Sequence, residues 1–139
     1  MRPKNNKSRR GSAMVESALV LLVFMTVLVG TFDISQLLFV QQSITEKVRV
    51  AARYGAVNTY NQAAIENMVL YSQSTVPATG GPAFNLTRSM VTVVRSDAGT
   101  PDDRISVTVS NYHFEFITPM VTRAAQGIAI TATASYELP

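Results

Sequence analysis

"RRGSAMVESALVLLVFMTVLVGTFD", residues 9–33, sets two arginines, a glycine and one glutamate ahead of an apolar run that closes on an aspartate. Between Glu16 and Asp33, the sixteen residues 17–32 carry no charge. At 1.5 Å per residue they make about 24 Å of helix, short of the roughly 30 Å hydrocarbon core of a bilayer. Helix-compatible residues continue on both sides, Ser12 to Glu16 before and Asp33 to Leu38 after, so a helix over 12–38 is long enough to cross. Glu16 and Asp33 then fall near the two interfaces. The Leu, Val and Phe residues between them contribute roughly −4 to −5 kcal/mol on the insertion scale, more than the roughly 2.5–3.5 kcal/mol that one carboxylate costs at the bilayer centre. The run is predicted to insert.

The surrounding charges agree with that reading. The chain has 139 residues, a formal net charge of +3 and 47% hydrophobic residues, room for one domain and too apolar for disorder. Five of the twelve basic residues (Arg2, Lys4, Lys7, Arg9, Arg10) lie in the first ten positions; without them, seven basic side chains face nine acidic ones. The basic character therefore belongs to a short tail, and no basic domain surface for nucleic acid is implied. A tail of this kind beside an apolar run is a topogenic signal: it stays in the cytoplasm and sends the C-terminal body outside. A soluble DNA-binding protein is the most distant reading. The chain lacks cysteine, which excludes disulfides and thiolate metal sites.

Three fates are open to such a segment. Ordinary signal peptidase takes small residues three and one before the cut, but "VLVGTFDIS" offers Leu28 and Gly30 there, with no Ala-x-Ala. An uncut signal anchor gives no reason for Glu16. Cleavage ahead of the apolar run, on the cytoplasmic side, gives one. A basic leader ending in Gly11, then Ser12-Ala13-Met14-Val15, then Glu16 as the fifth residue after Gly11, resembles a type IV prepilin-class processing site. More narrowly, residues 9–57 resemble the TadE-like pseudopilins of the tight-adherence (Tad, Flp) pilus system, with matching positions at Arg10, Gly11, Glu16, Asp33, Ala51, Ala52, Arg53 and Tyr54. The tail "VTVSNYHFEFITPMVTRAAQGIAITATASYELP" is also similar to that family's. Ser17 stands where prepilins of this system often carry an aromatic.

The resemblance implies a minor, assembly-related pseudopilin, cut between Gly11 and Ser12 by a prepilin peptidase. Its other partners would be pilin or pseudopilin subunits, an inner-membrane assembly platform and the lipid bilayer, with no nucleic acid. It would sit once across the bacterial inner membrane, N-terminus cytoplasmic and outer domain periplasmic, with entry into an extracellular pilus and methylation of the new N-terminus left open. The competing reading is an uncut signal-anchored envelope protein whose outer domain binds a partner.

Physics gives Glu16 a task apart from any family. After a cut at Gly11, Ser12 bears a new ammonium, and Glu16 lies four residues, about 6 Å, further along the helix. In a filament the carboxylate of one subunit meets the ammonium of the next, an attraction on the order of 4 kcal/mol at 4 Å and a dielectric of about 20. Desolvation offsets much of that gain, so the pair contributes register more than strength: a slipped neighbour leaves a buried acid unpaired at roughly 3–5 kcal/mol. The plainer alternative is an acid that marks the interface and favours a helix N-terminus.

Beyond the span, the helix is expected to continue over 39–57. Leu37, Ile44 and Ala51, and Ile34, Gln41, Val48 and Gly55, recur every seven residues as a mostly apolar stripe, with Glu46, Arg49 and Arg53 opposite. The helix is expected to run from Ala13 to Tyr54 and to stop at Gly55. Residues 58–139 form the outer domain. "NQAAIENMVLYSQ" predicts a second helix capped by Asn61, with Ala64, Ile65, Met68, Val69 and Ser72 on one face. "TVPATGGPAF" reads as a loop; "SMVTVVRS" and "RISVTVSNY" read as antiparallel strands joined by the turn "DAGTPDD"; "GIAITATASYEL" reads as a further strand. "EFITPMVTRAAQG" is taken as a crossing segment with one helical turn. The expected fold class is α+β, pilin-like: a long membrane-spanning helix, a second helix and a three- to four-stranded antiparallel sheet laid on the long one.

The chain offers little chemistry. His113 is the sole histidine, between Tyr112 and Phe114, and has no orienting partner in sequence. Asp102 and Asp103 sit in a turn, where aspartate caps backbone amides, and calcium needs more oxygen ligands than that turn offers. Asn85-Leu86-Thr87 fits the glycosylation sequon, a short pattern common by chance. No catalytic residue, metal site or cofactor is assigned.

Overall fold

The computed structural model describes residues 7–116, 123–125 and 129–137. A single helix, α1 (Lys7–Val57), runs for 51 residues, about 75 Å at helical rise. Its first half stands free of the rest of the chain, and its second half is the spine of the outer domain. A short second helix, α2 (Gln62–Tyr71), opens on Asn61, whose side-chain oxygen accepts a hydrogen bond from the Ala64 N–H at 3.2 Å, as its capping position predicts. It closes on Ser72 in the left-handed conformation, whose N–H returns to the Met68 carbonyl.

Strands β1 (Val91–Ser96), β2 (Arg104–Val109) and β5 (Ile130–Ser135) form one antiparallel sheet in the order β1-β2-β5. Between β2 and β5 the chain makes a separate ribbon, β3 (His113–Glu115) with β4 (Arg123–Ala125), in the register Phe114 to Ala124. The sheet has three strands, within the three to four expected, and the other two strands form a ribbon of their own. In the crossing segment Arg123–Ala125 pairs its backbone with His113–Glu115 as a strand; residues 117–122 and 126–128, where the expected helical turn would have to lie, are outside the described residues, as is Ile128 of the last strand.

One correction to the sequence reading concerns Gly55. The helix runs two residues past it, so Gly55 is not the stop. A Cβ there would lie 2.7 Å from Cδ1 of Ile65 and 3.2 Å from Cδ1 of Ile105. The missing side chain is what lets α1 approach α2 and β2 together.

Period-two alternation in the strands matches the core. Ile105, Val107 and Val109 are buried, along with Val91 and Val93, while Thr92, Val94, Thr131 and Thr133 face out. From the helices come Ile44, Val48, Ala51 and Ala52 of α1 and Ile65, Val69 and Leu70 of α2. On α1 the heptad reading holds throughout one row and in the second half of the other: Ile34 and Gln41 are exposed, Val48 and Gly55 are buried, and the inward positions are Asp33, Leu37, Val40, Ile44, Val48, Ala51 and Gly55. Asp33, Ile44 and Gly55 are eleven residues apart, three turns of a helix close to its natural period, so the buried face stays straight under the sheet. Polar contacts lock the second layer: Arg88 donates to Asn67 Oδ1 at 2.9 Å and lies 3.6 Å from Glu66, and Lys47 Nζ donates to Ser72 Oγ at 2.5 Å.

Candidate functional site: the exposed half of the long helix

From Gly11 to Val29 every residue of α1 is exposed, including Leu19 to Phe24 and Val27 to Val29. Among the described residues this is the one helix long and apolar enough to cross a membrane, with none of its most apolar window buried in the chain. Its polar atoms are suited to lipid. Thr26, Thr31 and Ser35 each donate their hydroxyl to the carbonyl four residues back, at 2.8 Å, so these three O–H groups are satisfied within the helix. A single-pass anchor is the arrangement consistent with such a helix.

The predicted processing residues lie on regular helix. Gly11 and Ser12 are both helical and exposed, and nothing stands within 4 Å of where a Gly11 side chain would begin. The bond between them is thus inside α1, whereas the sequence reading began the helix at Ala13. Glu16 follows one turn after Ser12, exposed beside Ser17, Val20, Leu21 and Phe24 along a shallow groove. The helix brings Ser12 and Glu16 within one turn of each other and leaves both open to a neighbour.

Residues 11–53 match the TadE-like protein family. The TadE-like segment starts at Gly11 and covers the span and most of the helix's packed half, ending just before Gly55; α2 and the sheet lie outside it. The matched segment is the one whose motifs resemble that family. No curated protein and no solved structure matches the chain.

The second acid of the TadE-like segment is placed differently from the first. Asp33 is 5% exposed, at the head of a cavity of about 430 Å3 shared with Leu37, Val40, Phe84, Tyr112 and Phe114. It was expected at the rim of the span; the outer domain covers it. Sequence spacing gave no sign of this, since the covering residues come from segments fifty to eighty positions away.

Two polar clusters of the outer domain were also missed. Asp103, 4% exposed, accepts from Arg95 Nε at 3.0 Å, Arg95 Nη2 at 2.6 Å and the Gly99 N–H at 3.0 Å. The Arg95 hydrogen bond, more than any other influence, holds the Asp103 carboxyl below the usual carboxylate range, and Asp103 in turn raises Arg95. The guanidinium lies over the Tyr136 ring at 4.0 Å and near Tyr60 at 5.4 Å. Backbone bonds from Tyr136 to Asp103 and from Glu137 to Ala56 tie the end of β5 to this cluster and to the end of α1. The second cluster is Glu66, Asn67 and Arg88, described above. Both are structural ties. His113 is exposed on β3, and among the described residues no group of three or more His, Cys, Asp or Glu could hold a metal ion.

Proposed function

We propose that the chain is the precursor of a minor pilin-like subunit, cut between Gly11 and Ser12 by a prepilin peptidase and used in assembling a tight-adherence pilus or a related secretion machine. The observation that carries this reading is the start of the TadE-like match at Gly11, with Glu16 five residues on, exposed on a bare apolar helix. On this reading the residues perform no catalysis. Gly11 supplies the cleavage position, Ser12 the new ammonium, Glu16 the acid that sets register between neighbours, and the helix the lipid-embedded surface along which they pack. The partners are the peptidase, other pilin or pseudopilin subunits, the assembly platform and the bilayer; the body of the protein lies on the periplasmic side.

The mature N-terminus tests it. Intact mass of membrane-extracted protein should begin at Ser12 in cells that hold the peptidase and at Met1 in cells that lack it. A chain starting at Met1 in both supports the uncut signal anchor, which the unbroken helix across Gly11–Ser12 favours. Glu16→Ala should leave leader removal intact and impair pilus formation, because a neutral methyl cannot pair with the neighbour's ammonium. Normal pili in that variant would remove the register role while leaving the processing site standing.

A further inference from the structure

None of the six phenylalanines of the chain belongs to the buried core. Phe24, Phe32 and Phe39 are on α1, and Phe84, Phe114 and Phe116 line the cavity where the outer domain meets the helix. Among the described residues the fully buried core is built from Ile, Val, Leu and Ala. A packed interior usually takes up its largest rings, which carry the most apolar area per residue. Here they are kept at the base of the domain, half-buried.

The backbone supports the same placement. Phe84 sits at φ 54°, in the left-handed region that a bulky residue rarely adopts, and its ring meets Phe39 edge to face at 6.4 Å. Phe39 is itself 65% exposed, and its neighbours Ile34 and Leu38 are 59% and 51% exposed. All three follow Asp33 and remain more than half exposed, Phe39 touching the domain only through the edge of Phe84, while Asp33 is buried under it. The outward side of α1 therefore stays apolar past the acid, and the next charge along the helix is Glu46. From Ser17 to Phe39 the uninterrupted outward surface is about 33 Å long, which fills a bilayer core that the 17–32 run alone leaves unfilled.

We propose that the base of the outer domain rests in the interfacial layer of the bilayer, with Phe84 and Phe114 beside Phe39 at headgroup depth and the domain itself shielding Asp33 from lipid. The occupant of this aromatic surface is lipid, because the surface is continuous with the span and sits where the span's apolar length reaches bilayer thickness. Apolar rings such as these bury about 5–10 Å into the boundary between headgroups and acyl chains, and Tyr112, whose ring lies 4.8 Å from that of Phe114, is the amphipathic kind of ring that this layer favours. The opposite end of the domain, marked by the 97–103 turn and the bond from Glu137 to Ala56, stands clear of the membrane. The inference rests on α1 being a membrane span.

Tryptophan is absent from the chain, so a single introduced one reports its own depth. Full-length Phe84→Trp, Phe114→Trp, Phe24→Trp and Ala98→Trp variants are reconstituted in phosphatidylcholine vesicles brominated either near the headgroup or near the end of the acyl chain. Phe84→Trp and Phe114→Trp should be quenched about twofold or more strongly by the shallow bromines than by the deep ones, as for rings at the headgroup boundary. Phe24→Trp should show the reverse, and Ala98→Trp no quenching. His113→Trp, at an exposed neighbouring position, gives the same reading if either ring substitution disturbs folding. Unquenched Phe84, Phe114 and His113 variants beside a quenched Phe24→Trp would overturn the proposal and leave the span intact. An unquenched Phe24→Trp would overturn both. Emission at position 84 that follows protein density in the vesicle and ignores bromine position would assign the rings to a second copy of the chain, and would also overturn it.

Discussion

Asp103 shows how one residue can decide the far end of the outer domain. It accepts three hydrogen bonds from Arg95 and Gly99, and its own carbonyl receives the Tyr136 N–H, so strand β5 is fastened through it. Its carboxyl is held below the usual range in the folded state, so the stability it adds is fully present above the unfolded value of about 3.9 and is lost as pH falls through the lower folded value. Thermal unfolding of the detergent-solubilised chain should therefore show an acid limb below about pH 4. Asp103→Asn should lower the midpoint at neutral pH and flatten that limb, because the amide cannot titrate. An unchanged acid limb would place the titrating group elsewhere. Arg95→Met should lower the midpoint further than a surface substitution does, since it leaves a buried carboxylate without its guanidinium and Tyr136 without its cation.

At the scale of elements, two glycines of α1 have opposite settings. Gly55 is enclosed, and a methyl there meets Ile65 at 2.7 Å. Alanine gains about 1 kcal/mol in helix propensity but overpacks a closed contact at about 1–3 kcal/mol. Gly55→Ala is expected to destabilise the outer domain by up to about 2 kcal/mol in chemical unfolding, and Gly55→Leu more; a stabilised Gly55→Ala would mean Ile65 swings aside freely. Gly11 is open on every side, so the same change has no packing cost there. It stiffens the helix by about 1 kcal/mol just where the proposed peptidase would have to unwind it. Gly11→Ala should slow leader removal, read as precursor accumulating on a gel, without altering the unfolding midpoint of the outer domain.

For the whole molecule the expectation is a single crossing with the domain outside. Cysteine is absent, so an introduced thiol is unique. Thr79→Cys, in the exposed loop after α2, should react with a membrane-impermeant maleimide on intact spheroplasts. Lys4→Cys, in a strain without the peptidase, should react only after lysis. The reverse pattern would invert the topology and exclude a cytoplasmic cut at Gly11. The distribution of burial shows how such a molecule is divided. Its apolar residues form two sets, an aliphatic core of helix and sheet and an exposed helical half with no partner inside the chain, so folding of the domain alone leaves a large surface for lipid or neighbours.

Local chemistry by itself determined the apolar span, the Asn61 cap, the β1–β2 turn and the alternation of the strands, because charge, period and capping act within a few residues. The place of Glu16 in the first turns of the apolar helix was legible for the same reason, whereas Gly11 reads as the end of a leader and lies within α1. Tertiary structure decided the rest. Gly55 reads as a helix stop until α2 and β2 close on it, and Asp33 reads as a rim marker until the outer domain covers it. Ile34 and Gln41 of the second heptad row stay exposed, while Val48 and Gly55 are buried, because the outer domain covers an eleven-residue face of the helix, a choice made by partners distant in sequence. Arg95 and Asp103 are eight apart in sequence, but only antiparallel pairing of β1 with β2 aims one at the other, and only the return of β5 places Tyr136 over the guanidinium.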